Sequence, residues 1–173
     1  VSAADAAIIV VSGKDGIQVG TQKAWELCEK YKLPRMFFVT EMDIDDVSYR
    51  QVVEDLTEMY GKKIAPIHMP IREDGKFAGY VNIVKQAGRK YIDRGKKKEC
   101  PVPDYLKEYL EKYHEILMES VAELSEEFMD RYFAGEEFSV AEVSAALKMN
   151  ISDGSIIPVC MGSTINIQGV ANL

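Results

Sequence analysis

The segment that decides the fold runs from Val1 to Asp43 and reads VSAADAAIIVVSGKDGIQVGTQKAWELCEKYKLPRMFFVTEMD. Residues 6–11 and 36–39 are unbroken apolar runs bounded by small and turn-forming residues. Short, continuously apolar runs are typical of strands covered on both faces, as in a parallel sheet. Between them, residues 21–31 repeat apolar positions at helical spacing. The segment therefore predicts a strand, a helix and a second strand in a right-handed βαβ unit.

Two short polar segments follow the predicted strands. Ser12 and Gly13 come after the first strand, and residues 40–43 (Thr-Glu-Met-Asp) come after the second. In open parallel sheets, ligands bind beyond the carboxyl ends of the strands. We therefore expect a ligand site, if the chain has one, at this edge.

The rest of the chain alternates helical and strand patterns. Ser48 or the Asp45-Asp46 pair is expected to cap the helix at 43–60, whose other residues follow a helical stripe. The other expected elements are a strand at 64–71, a turn at 72–76, a turn with a short helix or strand at 77–84, a hairpin of 88–92 and 97–101 around 93–95, two helices within 103–133, a helix at 140–148 and a strand at 156–160. The last strand resumes the sheet pattern after a long mixed segment.

Five short runs carry a more specific signal. They are residues 5–11 (DAAIIVV), 16–18 (GIQ), 21–25 (TQKAW), 34–35 (PR) and 38–43 (FVTEMD). These runs resemble the GTPase domain of bacterial elongation factor G, and the resemblance continues through Ile71, residues 123–137 and Gly162-Ser163. It begins after that family's phosphate-binding loop, switch segments and Asp-x-x-Gly motif, so the chain is expected to be a piece of a translational GTPase that begins in mid-domain.

The resemblance implies a domain organisation. The expected fold class is α/β, with an incomplete P-loop-GTPase-type parallel sheet and an inserted α+β subdomain. Residues 1–62 and 155–173 would form the C-terminal, guanine-recognition half of the GTPase domain. Residues 63–154 would form the insert.

The resemblance also implies a guanine-binding site. In this family an Asn-Lys-x-Asp sequence reads the base, and its Asp carboxylate accepts two hydrogen bonds from the ring N–H and the amine. The aligned residues here are Thr40, Glu41, Met42 and Asp43. Asp43 matches the Asp of the motif, whose carboxylate binds the base. Thr40 stands in place of Asn and lacks its side-chain amide. Glu41 stands in place of the Lys that packs on the base, so the charge at this position is reversed. Weakened guanine binding is therefore expected.

A second segment completes the expected site. Gly162, Ser163 and Thr164 align with the family segment whose backbone N–H donates to the guanine carbonyl oxygen, with Thr in place of Ala. The alternative for Asp43 is the cap of the helix that follows, which requires no ligand. Gly162-Ser163 alone is a common turn and has meaning only beside Asp43.

Composition narrows the classes of function. The chain has 173 residues, and its hydrophobic content of 47% is typical of a globular domain. Its net charge of −7 argues against nonspecific nucleic-acid binding. Three cysteines, Cys28, Cys100 and Cys160, show neither an even framework nor metal-ligand spacing, which fits a reducing cytoplasm. No signal-peptide or membrane-spanning pattern is present in the sequence. A monomer without DNA or membrane partners is expected.

No catalytic residue or metal site is predicted. The sequence has no Gly-rich loop that ends in Gly-Lys-Ser/Thr, so this chain is not expected to hydrolyse GTP. His68 and His114 are interpreted as structural residues. The basic residues at 94–98 are interpreted as a solvated hairpin tip, with a phosphate or ribosomal RNA contact as the alternative.

Two hypotheses for function follow from the resemblance. The first is a ribosomal translocation GTPase that uses GTP or GDP with Mg²⁺ in the parent protein, and whose insert contacts the ribosomal stalk protein through the helix face at 108–127. A tetracycline-resistance ribosomal protection factor or a release-factor GTPase is a variant of it. The second is a degenerate paralogue that serves as a ribosome-binding or regulatory module with weak or no nucleotide binding.

Overall fold

A computed structural model describes residues 3–93 and 96–170 of the chain. In chain order the elements are β1 (Ala7–Ser12), α1 (Val19–Tyr31), β2 (Arg35–Thr40), α2 (Tyr49–Tyr60), β3 (Ile64–Pro66), β4 (His68–Glu73), β5 (Lys76–Asn82), β6 (Ala87–Asp93), β7 (Lys96–Cys100), α3 (Asp104–Ala122), α4 (Glu126–Phe133), α5 (Val140–Asp153) and β8 (Ile157–Met161). A parallel sheet has the strand order β1-β2-β8-β3, and an antiparallel sheet has the order β4-β5-β6-β7. The predicted α/β class, with a parallel sheet and an inserted subdomain, is confirmed.

The first strand differs from its expected environment. β1 lies at the edge of the parallel sheet. Ile9 and Val11 point into the core, whereas Ile8 and Val10 are 53% and 60% exposed. Successive side chains of a strand point to opposite faces, so an apolar run does not by itself imply cover on both faces. The expectation of cover on both faces is wrong for β1.

The expected strand at 64–71 is two strands in two sheets. β3 pairs with β8 in the parallel sheet, and β4 pairs with β5 in the antiparallel one. Ile67 lies between them: its N–H donates to the Val159 carbonyl at 3.1 Å, and its own carbonyl accepts from the Ile83 N–H at 3.0 Å. Ile67 therefore connects the two sheets, and β3 belongs to the parallel sheet although it falls within the range assigned to the insert.

The helix expected from residue 43 begins later. α2 starts at Tyr49, and the Ser48 hydroxyl accepts from the Gln51 N–H at 3.3 Å as its N-cap. Asp43 therefore lies in the preceding turn and does not cap the helix. The capping alternative for Asp43 is wrong.

The antiparallel sheet and its helices agree with most of the sequence pattern. Residues 77–84, which the pattern left open, contribute to β5, and β6 with β7 forms the predicted hairpin. Arg94 and Gly95, at its predicted turn, lie outside the described residues. The predicted break between α3 and α4 is present, with Ser125 as the cap of α4. α5 is longer than expected and continues to Asp153. Gly154, whose backbone is in the left-handed region, ends the helix.

Buried apolar residues form two clusters. One joins the parallel sheet to α1 and α2, and the other joins the antiparallel sheet to α3 and α5. In the first, the Trp25 ring stacks on Tyr60 and Phe37, with ring centroids 4.1 and 5.8 Å apart. Phe77 and Tyr80 of β5 also belong to the first cluster, so the two sheets share packing. Within the described residues, no helix is long and apolar enough to cross a bilayer.

Candidate functional site

Two segments far apart in sequence meet at the carboxyl edge of the parallel sheet. The Met42 N–H donates to the Gly162 carbonyl at 3.2 Å, and the Gly162 N–H donates to the Val39 carbonyl at 2.9 Å. β2 and β8 run in parallel with Val39 opposite Met161, so the chain leaves both strands on the same side. Residues 40–43 and 162–164 therefore lie side by side.

Close backbone approach determines the shape of the second segment. A Cβ added at Gly162 would lie 2.1 Å from the Gln168 carbonyl oxygen and 2.9 Å from Phe38 Cζ, so only glycine fits there. Ser163 is fully buried, and its N–H and carbonyl pair with those of Gln168 at 2.8 and 2.9 Å. Of the three N–H groups at 162–164, only that of Thr164 has no hydrogen-bond partner in the part of the chain that the structure describes. This N–H is available to a ligand.

Asp43 presents a carboxylate at the same edge. It is half-buried in the turn after β2, and among the described residues its side chain accepts no hydrogen bond. The Ile44 N–H closes this turn on the Glu41 carbonyl at 3.0 Å, which orients the backbone around Asp43. An ordered carboxylate without an internal donor can accept N–H groups from a bound molecule.

Thr40 is held from the β1 side by a glycine. The Gly13 N–H donates to the Thr40 carbonyl at 3.0 Å. A Cβ at Gly13 would lie 2.7 Å from that same oxygen. The loop after β1 therefore packs directly against the end of β2, and sequence reasoning had placed both loops at this edge.

Glu41 is directed toward β1. Its backbone is left-handed, with φ of 64°. Its carboxylate accepts a hydrogen bond from the Ser12 hydroxyl, and the same hydroxyl accepts from the Asp15 N–H at 2.9 Å. Sequence reasoning missed this role of Ser12, although the register that places Ser12 opposite Thr40 brings it beside Glu41.

Arg72 is a second residue that sequence reasoning missed. It was expected in a turn, but it lies in β4, and its guanidinium donates to the carbonyls of Met42 at 3.4 Å and Val47 at 2.8 Å. Burial lowers the pKa of Arg72, while the nearby Asp45 carboxylate acts in the opposite direction. The antiparallel sheet thereby orders the loop that carries Asp43. A single arginine at a strand end gives no sequence signal for this role.

The histidines have structural contacts. Nε2 of His68 lies 3.2 Å from the Asn82 side chain, and Nδ1 of His114 lies 3.2 Å from the Ile83 carbonyl. Within residues 3–93 and 96–170, no three His, Cys, Asp or Glu side chains are grouped so as to hold a metal ion. All three cysteines are free thiols.

The sheet order, the loops at its carboxyl edge and the inserted antiparallel unit define the class as α/β domains with a parallel sheet and an inserted subdomain. The chain belongs to the family of the elongation factor Tu GTP-binding domain, because the sequence model of that family matches residues 1–173. The predicted resemblance to a translational GTPase is thereby confirmed.

A solved structure agrees with this membership. The crystal structure of a protein from Thermus thermophilus matches 98% of this chain with a TM-score of 0.88 and 32% sequence identity. The match covers 25% of that protein, so this chain spans about a quarter of its length.

Proposed function

We propose that the parent protein is an elongation-factor-G-like GTPase that acts in ribosomal translocation in the cytoplasm. In this proposal residues 1–62 and 155–173 supply the guanine-recognition side of its GTPase domain. Residues 63–154 form the insert, apart from β3, which pairs with β8 in the parallel sheet. Family membership supports a GTP-binding elongation factor domain. The single observation that carries the proposal is the meeting of residues 40–43 with 162–164 through the Met42–Gly162 hydrogen bond.

The available polar groups fit the edge of a guanine base. Guanine offers two adjacent N–H donors and one carbonyl acceptor on this edge. The Asp43 carboxylate would accept from both donors as a charge-assisted pair. The Thr164 N–H would donate to the carbonyl oxygen, while Thr40, Gly162 and Ser163 shape the floor of the site. The Asp43 carboxylate and the Thr164 N–H have no hydrogen-bond partner among the described residues, so guanine binding would break no internal hydrogen bond.

Weak affinity is part of the proposal. Glu41 replaces a cation that would pack on the base, and its carboxylate is directed to Ser12 instead. A cation on an aromatic face contributes about 0.5–2 kcal/mol. GTP or GDP with Mg²⁺ would be the cofactor of the parent, whose phosphate-binding residues are not in this chain, and we do not expect the chain alone to hydrolyse GTP.

Calorimetric titration of the chain with GTP and with ATP tests the proposal. We expect GTP binding that saturates only in the millimolar range or above, and weaker binding of ATP. Micromolar GTP binding would contradict the expected loss of affinity, and equal binding of ATP would contradict guanine recognition.

We expect the chain to be a monomer without DNA or membrane partners.

The insert is proposed to contact the ribosomal stalk protein. α3 exposes a row of acidic side chains along one flank, namely Glu108, Glu111, Glu115 and Glu119. Charge complementarity raises association rates and selects partners. Reversal of Glu111 and Glu115 to lysine should slow association with the stalk protein, and an unchanged rate would remove this surface from the proposal.

A degenerate, ribosome-binding paralogue is the second candidate. The Ser12–Glu41 hydrogen bond favours it, because this contact keeps a negative charge at the nucleotide edge. An intact phosphate-binding loop upstream in the parent would favour the GTPase, and its absence there would favour the binding module.

A further inference from the structure

The amino edge of the parallel sheet contains a polar cavity of about 250 Å³. It lies between the end of α1, the start of β2 and the turns that precede β3 and β8. Five charged residues line it, namely Glu29, Lys32, Arg35, Lys63 and Asp153. β2 runs six residues from Arg35 to Thr40, and a strand rises about 3.3 Å per residue, so the cavity is roughly 17 Å from the candidate guanine site.

Arg35 is a buried cation in this cavity wall. It is 6% exposed, and its guanidinium lies 4.1 Å from the Trp25 ring centroid. One terminal nitrogen donates to the Leu33 carbonyl at 3.3 Å, and the other pairs with Glu29. Its Nε–H has no partner among the described residues. Buried charged groups are normally fully hydrogen-bonded, so the intramolecular partners of Arg35 are incomplete.

Lys63 shares the partner of Arg35. Its Nζ lies 3.1 Å from the same Glu29 oxygen and 4.7 Å from the Trp25 ring centroid. One carboxylate oxygen therefore serves two cations. An ammonium group has three N–H donors, so Lys63 keeps two for another acceptor.

The remaining charges leave a local excess of positive charge. Lys32 forms no ion pair with any described residue. Asp153 is already engaged, because its carboxylate accepts from the Ser155 N–H at 2.8 Å. The cavity is therefore lined by three cations and two carboxylates, and one of the carboxylates, that of Asp153, already accepts a hydrogen bond at the end of α5.

The directions of two pKa shifts agree with this geometry. Burial lowers the pKa of Arg35, and it also lowers the pKa of Lys63, with the Arg35 charge as a further cause. A bound anion beside Lys63 would offset its burial and its repulsion from the Arg35 charge.

We propose that this cavity binds a small oxyanion of the phosphate class between Arg35, Lys63 and Lys32. Arginine offers directed N–H donors and lysine a compact charge, a combination that suits a tetrahedral dianion. The site lies opposite the candidate guanine edge and does not depend on the proposed function.

Titration of the chain with inorganic phosphate at constant ionic strength, followed by calorimetry, tests this proposal. We expect saturable binding that Lys63→Met weakens about tenfold, the effect of losing one charge-assisted contact. Lys62→Met is the matched control, since Lys62 is the exposed neighbour, and it should change affinity less than about twofold. Glu29→Gln should tighten binding, because it removes the competing carboxylate, and a purely structural role for Arg35 and Lys63 would not produce this.

Absence of saturable phosphate binding, or equal losses in the two lysine variants, would overturn the proposal. Acetate that binds as tightly as phosphate would contradict the tetrahedral class. A parallel titration with glycerol 3-phosphate separates the two sources of this chemistry: tighter binding of the ester indicates a phosphorylated small molecule, and tighter binding of phosphate indicates the free anion.

Discussion

The hydroxyl of Ser12 donates a hydrogen bond to the carboxylate of Glu41, and this contact joins the carboxyl ends of β1 and β2. It holds the Glu41 side chain on the β1 side of the sheet edge, away from Gly162. The backbone of Glu41 is left-handed there, with φ of 64°. The residue that departs most in charge from the family motif is therefore held by an internal partner.

Glu41→Lys should tighten guanine-nucleotide binding by about tenfold, because a cation would replace a carboxylate near the base and the phosphates. Calorimetry with GDP measures the change. Glu58→Lys is the control, because it makes the same charge change on an exposed face of α2. Unchanged or weaker binding in Glu41→Lys would mean that this position does not face the nucleotide.

Gly162→Ala should destabilise the fold by about 3 kcal/mol, a cost typical of forced overpacking, because the added Cβ would lie 2.1 Å from the Gln168 carbonyl. Chemical denaturation measures the loss. Gly20→Ala in α1 meets open space and should be neutral or stabilising by up to about 1 kcal/mol. Equal stabilities of the two variants would contradict the close approach at Gly162.

Stability should fall on acidification because of His68. Its burial, with the Lys97 charge as a further cause, lowers its pKa from 6.5 to about 4. The side-chain oxygen Oδ1 of Asn82 accepts from the Lys85 N–H at 2.8 Å. The Asn82 Nδ2 therefore faces His68 Nε2 as a donor and favours the neutral ring. The unfolded state binds more protons between these two values, so the free energy of unfolding decreases as the pH falls from 6.5 toward 4, by up to about 3 kcal/mol.

Urea unfolding at several pH values checks this window. His68→Gln keeps a hydrogen-bonding side chain but does not titrate in this range. Its free energy of unfolding should therefore depend less on pH between 6.5 and 4 than that of the unmodified protein. The same pH dependence in both proteins would rule out His68 as its source.

Arg72→Met should loosen the loop that carries Asp43. The change leaves the carbonyls of Met42 and Val47 without their donor, at an expected cost of about 2 kcal/mol. Hydrogen exchange of the amides at 43–47 should accelerate. Arg50→Met removes an exposed pair with Glu54 and the contact of the guanidinium with the Tyr109 ring, 4.5 Å away. It should cost about 1 kcal/mol without that acceleration. Unaltered exchange in Arg72→Met would show that the loop is ordered by other contacts.

The sequence was sufficient to predict the elements that local residue patterns determine. The apolar run before Ser12, the cap at Ser48, the break between α3 and α4, and the hairpin of β6 and β7 all follow from residue type and spacing. The meeting of residues 40–43 with 162–164 also follows, because parallel strands share one carboxyl edge.

Features that depend on distant pairing were not predictable. The exposure of Ile8 and Val10 arises because no described element covers that face of β1, and no local pattern encodes this. The change of sheet at Ile67 depends on the Val159 carbonyl, and the role of Arg72 depends on carbonyls of a loop 30 residues earlier. Each of these contacts joins elements whose spatial order a single sequence does not specify.

Backbone amide NMR of the chain during titration with GDP and with ADP tests the central claim most directly. If residues 40–43 and 162–164 frame a guanine site, the Thr164 amide should shift progressively with GDP, while Gly162 and Ser163, which keep their internal hydrogen bonds, shift less. ADP should leave Thr164 nearly unchanged, and Asp43→Ala should abolish the GDP response. A Thr164 amide that ignores GDP, or that responds equally to ADP, would contradict the account.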